Sequence, residues 1–172
     1  DKKCVWPGWS AEADRLVERL EVVRGWSAGE EWPEWNQEAQ RPVLQRQCQG
    51  CLTWRQANER SAVGAMQDWL GRKRIQRMGE LAPDRVEIAG GKSLKIEYGK
   101  GREPRVSGKI QDFYGWEKTP RIGDGQVELT LEILGPNRRP LQVTKDLGSF
   151  WRETYPKLKA ELARKYPKHE WR

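Results

Sequence analysis

In the first third of the chain, apolar positions recur at three- and four-residue spacing. Ala13, Leu16, Val17, Leu20 and Val23 fall on one face of a helix. Ser10 suits its N-cap, because a serine hydroxyl accepts from an orphan N–H of the first turn. Gly25 stands where the helix can end in a left-handed conformation. Residues 26–52 lack a clear period: Trp26, Trp32 and Trp35 sit among Gly29, Glu30, Glu31, Pro33 and Glu34. This predicts a turn, then a short helix around Pro42–Gln47. A second strong helix is predicted over 62–78. Its stripe is Ala65, Met66, Trp69, Leu70, Ile75 and Met78, and Arg72, Lys73, Arg74 and Arg77 cover its outer surface. Pro83 prevents its continuation.

The period then changes to two. Val86 and Ile88 alternate with Arg85 and Glu87, and Leu94, Ile96 and Tyr98 with Lys95 and Glu97, which predicts half-buried strands. Ala89-Gly90-Gly91-Lys92 between them suits a hairpin loop. Lys100–Glu103 reads as a polar loop, Val106 as part of a third short strand, and Ile110, Phe113 and Tyr114 as a short helix closed by Gly115. Val127–Leu134 is the clearest strand, and Gly135-Pro136-Asn137 turns it so that Leu141–Thr144 pairs back antiparallel. Asp146 caps a helix carrying Leu147, Phe150 and Trp151. Pro156 starts the next, with Leu158 and Leu162 inward, and Tyr166-Pro167 stops it. The predicted class is α+β: a helical N-terminal half, a small antiparallel sheet, and C-terminal helices packed on the sheet. Residues 1–82 form the helical subdomain and 83–172 the sheet with the C-terminal helices, sharing one core.

A length of 172 residues suffices for one large domain or two small subdomains. At 36% hydrophobic and 33% charged the chain is polar, but ten tryptophans supply enough buriable surface to argue against disorder. No apolar run approaches about 18 residues, so no membrane span is expected. The start, Asp1-Lys2-Lys3-Cys4, has no apolar stretch of a signal peptide and fits a fragment of a longer protein. Three cysteines do not make a disulfide framework, and a reducing cytoplasm is the expected setting.

Several tempting chemistries lack their parts. Gly91-Lys92-Ser93 imitates the end of a phosphate-binding loop, but Val86 stands where that motif needs its first glycine, and a strand comes after it where a helix is required. Cys48 and Cys51 have the spacing of half a zinc site. Only Cys4 and His169 remain to complete it, at opposite ends of the chain, so small buried thiols are the plainer reading. His169 is the sole histidine, which leaves no other base for a nucleophilic triad. No catalytic residue and no metal site is expected.

Charge is the stronger signal. The formal net charge is +7, which favours an acidic partner. The last 35 residues hold ten Lys or Arg against four Asp or Glu, a surplus of six and most of the excess. Cations arrayed on one surface neutralise phosphates and release counterions. Tyr155, Tyr166 and Trp171 lie among them and suit stacking on unpaired bases. The plain alternative is that the aromatics anchor a core and the charges solvate a helix face.

The same region resembles a known family. Phe113-Tyr-Gly-Trp-Glu-Lys-Thr-Pro-Arg-Ile122, Gly123-Asp-Gly-Gln-Val127 and Leu129-Thr-Leu-Glu-Ile-Leu-Gly135 are similar to the HrpB C-terminal family. So are Arg139-Pro-Leu-Gln-Val-Thr-Lys-Asp-Leu147, Phe150-Trp151, Tyr155 and the closing Arg164-Lys-Tyr-Pro-Lys-His169. Trp69 with Glu80-Leu-Ala-Pro83, and more weakly Pro7-Gly-Trp-Ser10, add to the match. The resemblance implies a parent that is a DEAH-box, RNA-dependent NTPase, with ATP and Mg²⁺ held by two upstream RecA-like domains. None of those motifs occurs here, so this chain is expected to be a non-catalytic accessory domain with no cofactor of its own. Two kinds of partner are expected: RNA, or a protein surface, either the upstream motor or a recruited protein, with Trp26, Trp32 and Trp35 as anchors. The candidate nucleic-acid contacts are Arg72, Arg74, Arg121, Arg138, Arg139, Lys145, Arg152, Lys157, Arg164, Lys165, Tyr166, Lys168 and His169.

Overall fold

The computed structural model describes residues 6–27, 29–88 and 91–172. The chain divides into two units, Asp1–Ala82 with Tyr98–Lys100, and Pro83–Glu97 with Gly101–Arg172. The class is α+β.

The first unit is built from α1 (Ala11–Trp26), α2 (Gln37–Cys48), α3 (Trp54–Glu59), α4 (Ala62–Leu70) and α5 (Arg72–Leu81). Ser10 caps α1 by accepting from the Ala13 N–H, and Ala13, Leu16, Leu20 and Val23 form its buried face. The helix does not stop at Gly25. It runs on to Trp26, and the Ser27 N–H closes it on the Val23 carbonyl at 3.0 Å. Helix α2 starts five residues before the predicted Pro42, because Asn36 caps it and Ala39, Val43 and Gln47 bury one stripe. Burial of that stripe outweighs the one backbone bond that Pro42 removes. Thr53 and Gln56 form a reciprocal capping box that starts α3. The single helix expected over 62–78 is two helices, since Gly71 adopts φ +80° between α4 and α5. Leu16, Leu20, Val23, Val43, Met66, Leu70, Met78 and Leu81 make the core, and Trp26, Trp32 and Trp35 pack half-buried against it. These three tryptophans are core walls rather than free anchors.

The second unit holds β1 (Arg85–Glu87), β2 (Ser93–Gly99) up to Glu97, β3 (Arg102–Lys109), β4 (Arg121–Ile122), β5 (Val127–Glu128), β6 (Thr130–Leu134) and β7 (Pro140–Thr144). The main sheet runs β1-β2-β3-β6-β7, and β4 and β5 form a separate ribbon. β1 pairs antiparallel with β2, Arg85 opposite Lys95. The hairpin tip at Ala89 and Gly90 lies outside the described residues. Lys92 leads directly into β2, so the Gly91-Lys92-Ser93 sequence opens onto a strand. The sheet is not wholly antiparallel: β3 and β6 run parallel, with Val106 opposite Leu131. Parallel neighbours need a long crossover, and residues 110–129 supply it with a 3₁₀ turn, a loop and the β4–β5 ribbon. The expected strand Val127–Leu134 is accordingly split. Glu128 faces Arg121 in the ribbon, the Leu129 N–H bonds the Pro120 carbonyl, and only then does β6 join the main sheet. β7 returns antiparallel to β6 as expected.

Gly108 of β3 is buried under the ring of Phe113. A Cβ there would stand 2.8 Å from Leu94 Cδ1 and 3.0 Å from Phe113 Cζ, so only glycine lets Phe113 fold back over the strand. After β7 come α6 (Leu147–Ser149), a π turn (Phe150–Thr154) and α7 (Tyr155–Lys165), with Leu147, Phe150, Tyr155 and Leu162 buried.

Candidate nucleic-acid interface

The C-terminal helix is fixed at its start by its own sequence. Asp146 accepts from the Ser149 N–H at 2.9 Å and from the Ser149 hydroxyl at 2.6 Å. These bonds hold its carboxyl below the usual carboxylate range. Thr119 ties the preceding loop to the same turn, bonding the Lys145 carbonyl and accepting from the Leu147 N–H at 3.1 Å. The extra residue of the π turn then sets the phase of the helix beyond it. Gly148, Trp151, Arg152 and Tyr155 come to one side, facing the loop Tyr114–Glu117.

Together these residues line a pocket of about 490 Å³, with Arg172 at its rim. Tyr155 is the buried floor, and Tyr114, Trp116 and Trp151 are half-buried walls. The Trp151 and Tyr155 rings meet edge-on, 5.1 Å between centroids, and Tyr114 lies 5.8 Å from Trp151. Trp151 Nε1 donates to the Trp116 carbonyl at 2.8 Å, and the Tyr114 and Tyr155 hydroxyls are 3.0 Å apart. Burial, and then that hydroxyl contact, push the Tyr155 phenol well above its ordinary value. The Arg172 guanidinium lies 5.7 Å over the Tyr114 ring and pairs with Glu170 at 3.1 Å.

The predicted cations are distributed unequally. Arg138 and Arg139 occupy the β6–β7 turn, where Arg138 adopts φ +61°, and both are exposed. Lys157 and Arg164, seven residues apart, share the exposed side of α7 opposite buried Tyr155 and Leu162. Arg138, Arg139, Lys157, Arg164 and Lys168 form no side-chain ion pair among the described residues. Other candidates are already engaged. Lys145 pairs with Glu103, and that bond holds the Glu103 carboxyl below its ordinary range. Arg121 pairs with Glu128 across the β4–β5 ribbon. Lys165 lies 5.8 Å over the Tyr166 ring. Tyr166 is half-buried, its carbonyl accepting from Trp171 Nε1 at 3.1 Å, and exposed His169 stands edge-on to it. Arg72 and Arg74 belong to the first unit, where Arg74 donates to the Glu31 carbonyl.

Tyr114, Trp116 and Trp151 are not among the contacts that the sequence singles out. The spacing 148, 151, 152, 155 is a visible signal, but it reads equally well as a core stripe. Cys48 and Cys51 are half-buried free thiols, and Cys4 lies outside the described residues. Among the described residues, no group of three or more His, Cys, Asp and Glu gathers where a metal could bind. No helix among them is long and apolar enough to cross a membrane.

A helical unit followed by a mixed sheet and C-terminal helices is matched by the C-terminal part of ATP-dependent helicases. The chain belongs to the ATP-dependent helicase C-terminal family, HrpB_C, whose model matches residues 43–172. It is 30% identical over 167 residues to the ATP-dependent RNA helicase HrpB of Escherichia coli strain K12, covering 95% of this chain and 21% of that protein. The crystal structure of the E. coli DExH-box NTPase HrpB matches with a TM-score of 0.90 and 29% identity, over 100% of this chain and 22% of that one. A second crystal structure, of the Escherichia coli DEAH/RHA helicase HrpB, gives a TM-score of 0.79 at 29% identity, over 99% of this chain and 22% of that one. The chain therefore spans about a fifth of the length of these relatives.

Proposed function

We propose that this chain serves as the non-catalytic accessory domain of a cytoplasmic ATP-dependent RNA helicase and offers single-stranded RNA a basic surface. ATP and Mg²⁺ belong to the motor that precedes it. The observation that carries this reading is the set of exposed cations on the second unit that form no ion pair among the described residues: Arg138, Arg139, Lys157, Arg164 and Lys168. A cation free of a carboxylate partner can release counterions from a phosphate without first breaking a pair. The test is binding of a labelled single-stranded oligoribonucleotide as salt is raised. Affinity should fall steeply with salt and drop further when Arg138, Arg139, Lys157 and Arg164 are replaced by glutamine. No binding at low salt, or no effect of the replacements, would sink the reading.

A second reading, docking onto the motor or a recruited protein, has one specific support in the first unit. Leu52 is 91% and Trp54 57% exposed at the start of α3, an apolar pair of the kind that anchors interfaces. Under this reading, Leu52→Ser with Trp54→Ser abolishes capture of the separately expressed motor region. Equal capture by the wild type and the double variant eliminates it.

A further inference from the structure

The aromatic pocket between the loop Tyr114–Glu117 and the start of the C-terminal helix is not a simple extension of the core. Its floor is buried, but three of its four rings keep part of their faces open to a space of about 490 Å³, within the range of small-ligand sites. The walls are set before anything binds: Trp151 is tied to the Trp116 carbonyl at 2.8 Å and Tyr114 to Tyr155 at 3.0 Å. Gly148 lines the helix side. A Cβ there would come within 3.2 Å of Arg152 Nη1 and 3.4 Å of the Glu117 carbonyl, so glycine keeps the entrance clear.

Charge decides what suits the space. Open aromatic walls alone favour a cation. Here the lining carries the guanidinium groups of Arg152 and Arg172 and the carboxylate of Glu117, with Glu170 paired to Arg172 at 3.1 Å and the Asp146 carboxylate acting on Arg152. Arg152 donates to the neutral Ser149 hydroxyl at 3.1 Å and forms no ion pair among the described residues. The two guanidinium groups offer planar N–H donors to an anion. A planar ring attached to an anion gains both stacking and charge-assisted hydrogen bonds.

We infer that this pocket takes one unpaired nucleobase of single-stranded RNA, stacked on the open faces of Trp116 and Trp151, with the adjoining phosphate held by Arg152 and Arg172. The inference rests on the RNA reading above and adds the place where a base leaves the strand. Lys157 and Arg164 lie farther along the same helix, on its exposed side.

The test compares two labelled probes at one salt concentration: an octamer of riboadenylate and an octamer of the same backbone without bases. The wild-type chain should bind the base-bearing octamer roughly tenfold more tightly or better, the scale of one aromatic stack. Trp116→Ala should erase most of that preference, and Arg152→Glu should weaken the base-bearing octamer by at least about tenfold. Circular dichroism checks both variants. If Trp116→Ala fails to fold, Arg152→Glu decides, because Arg152 is exposed and outside the core. Equal wild-type affinity for both octamers overturns the pocket while leaving the basic surface standing. Binding of neither octamer overturns the RNA reading and this inference with it. A preference that survives a folded Trp116→Ala, or affinity for the base-bearing octamer unchanged by Arg152→Glu, overturns the assignment.

Discussion

Gln47 shows how one residue organises a region with no readable period. Its side chain is 3% exposed, and its amide donates to the carbonyls of Ala57 at 2.9 Å, Arg60 at 2.6 Å and Pro7 at 3.4 Å. Those carbonyls belong to segments on either side of α2. Gly8 completes the joint: its φ is +66°, and a Cβ there would stand 1.7 Å from the Arg60 carbonyl oxygen. Gln47→Leu strands buried acceptors and should cost about 2 kcal/mol, seen as a lower urea midpoint at unchanged slope. Gly8→Ala should also destabilise. The double variant should lose less than the two separate losses together, because both act on the Arg60 carbonyl. Tyr155 gives a second residue-scale expectation. Its folded pKa lies above the unfolded value of about 10, so its contribution is complete below that pH and is lost as pH rises through the folded pKa. Absorbance at 295 nm should show one of the four tyrosines ionising last, together with unfolding. Tyr155→Phe should remove that phase.

At the scale of elements, the sequence is legible wherever a single segment decides its own form. The Ser10 cap, the stripe of α1, the Asp146 cap and the β6–β7 return all arise from local residues. Distant partners decide the rest. The alternation over 127–134 marks extended chain but carries no direction, so it could not reveal that Leu131 lies beside Val106 in parallel. Gly71 reads as a tolerated interruption, yet at φ +80° it divides two helices. Gly108 offers a test of this level. Gly108→Ala forces a methyl against Leu94 and Phe113, and overpacking of this kind typically costs about 1–3 kcal/mol, measurable by denaturant unfolding. Asp146 offers another, with a defined sign. Its folded pKa is lowered, so its contribution is present above the unfolded value near 4 and is lost as pH falls through the folded pKa. Asp146→Ala should therefore lower the thermal midpoint at neutral pH. The gap to wild type should close in acid; a constant gap would show that the carboxylate charge is not what the cap supplies.

For the molecule as a whole, the sequence tells how much positive charge there is but not how much of it is free. The net charge of +7 and the C-terminal surplus are countable. The pairing of Lys145 with Glu103, 42 residues away, and the placement of Arg172 over Tyr114 are products of the fold. The distinction matters because counterion release scales with the cations that actually meet phosphate. For a single strand, each such contact contributes about 0.7 to the slope of log affinity against log salt. Replacing Arg138, Arg139, Lys157 and Arg164 by glutamine should then flatten the slope by up to about three. A control variant removing the same charge from the first unit, at Arg15, Arg41, Arg55 and Lys73, separates location from bulk electrostatics. Arg15 and Arg55 already pair with Glu12 and Glu59, and exposed pairs of this kind hold little free charge for a distant strand. The control should keep nearly the wild-type slope while losing some affinity at the lowest salt, where long-range attraction persists. Equal flattening by both variants would mean that RNA responds to net charge alone, and the C-terminal surface would lose its claim to be the place where the strand is held.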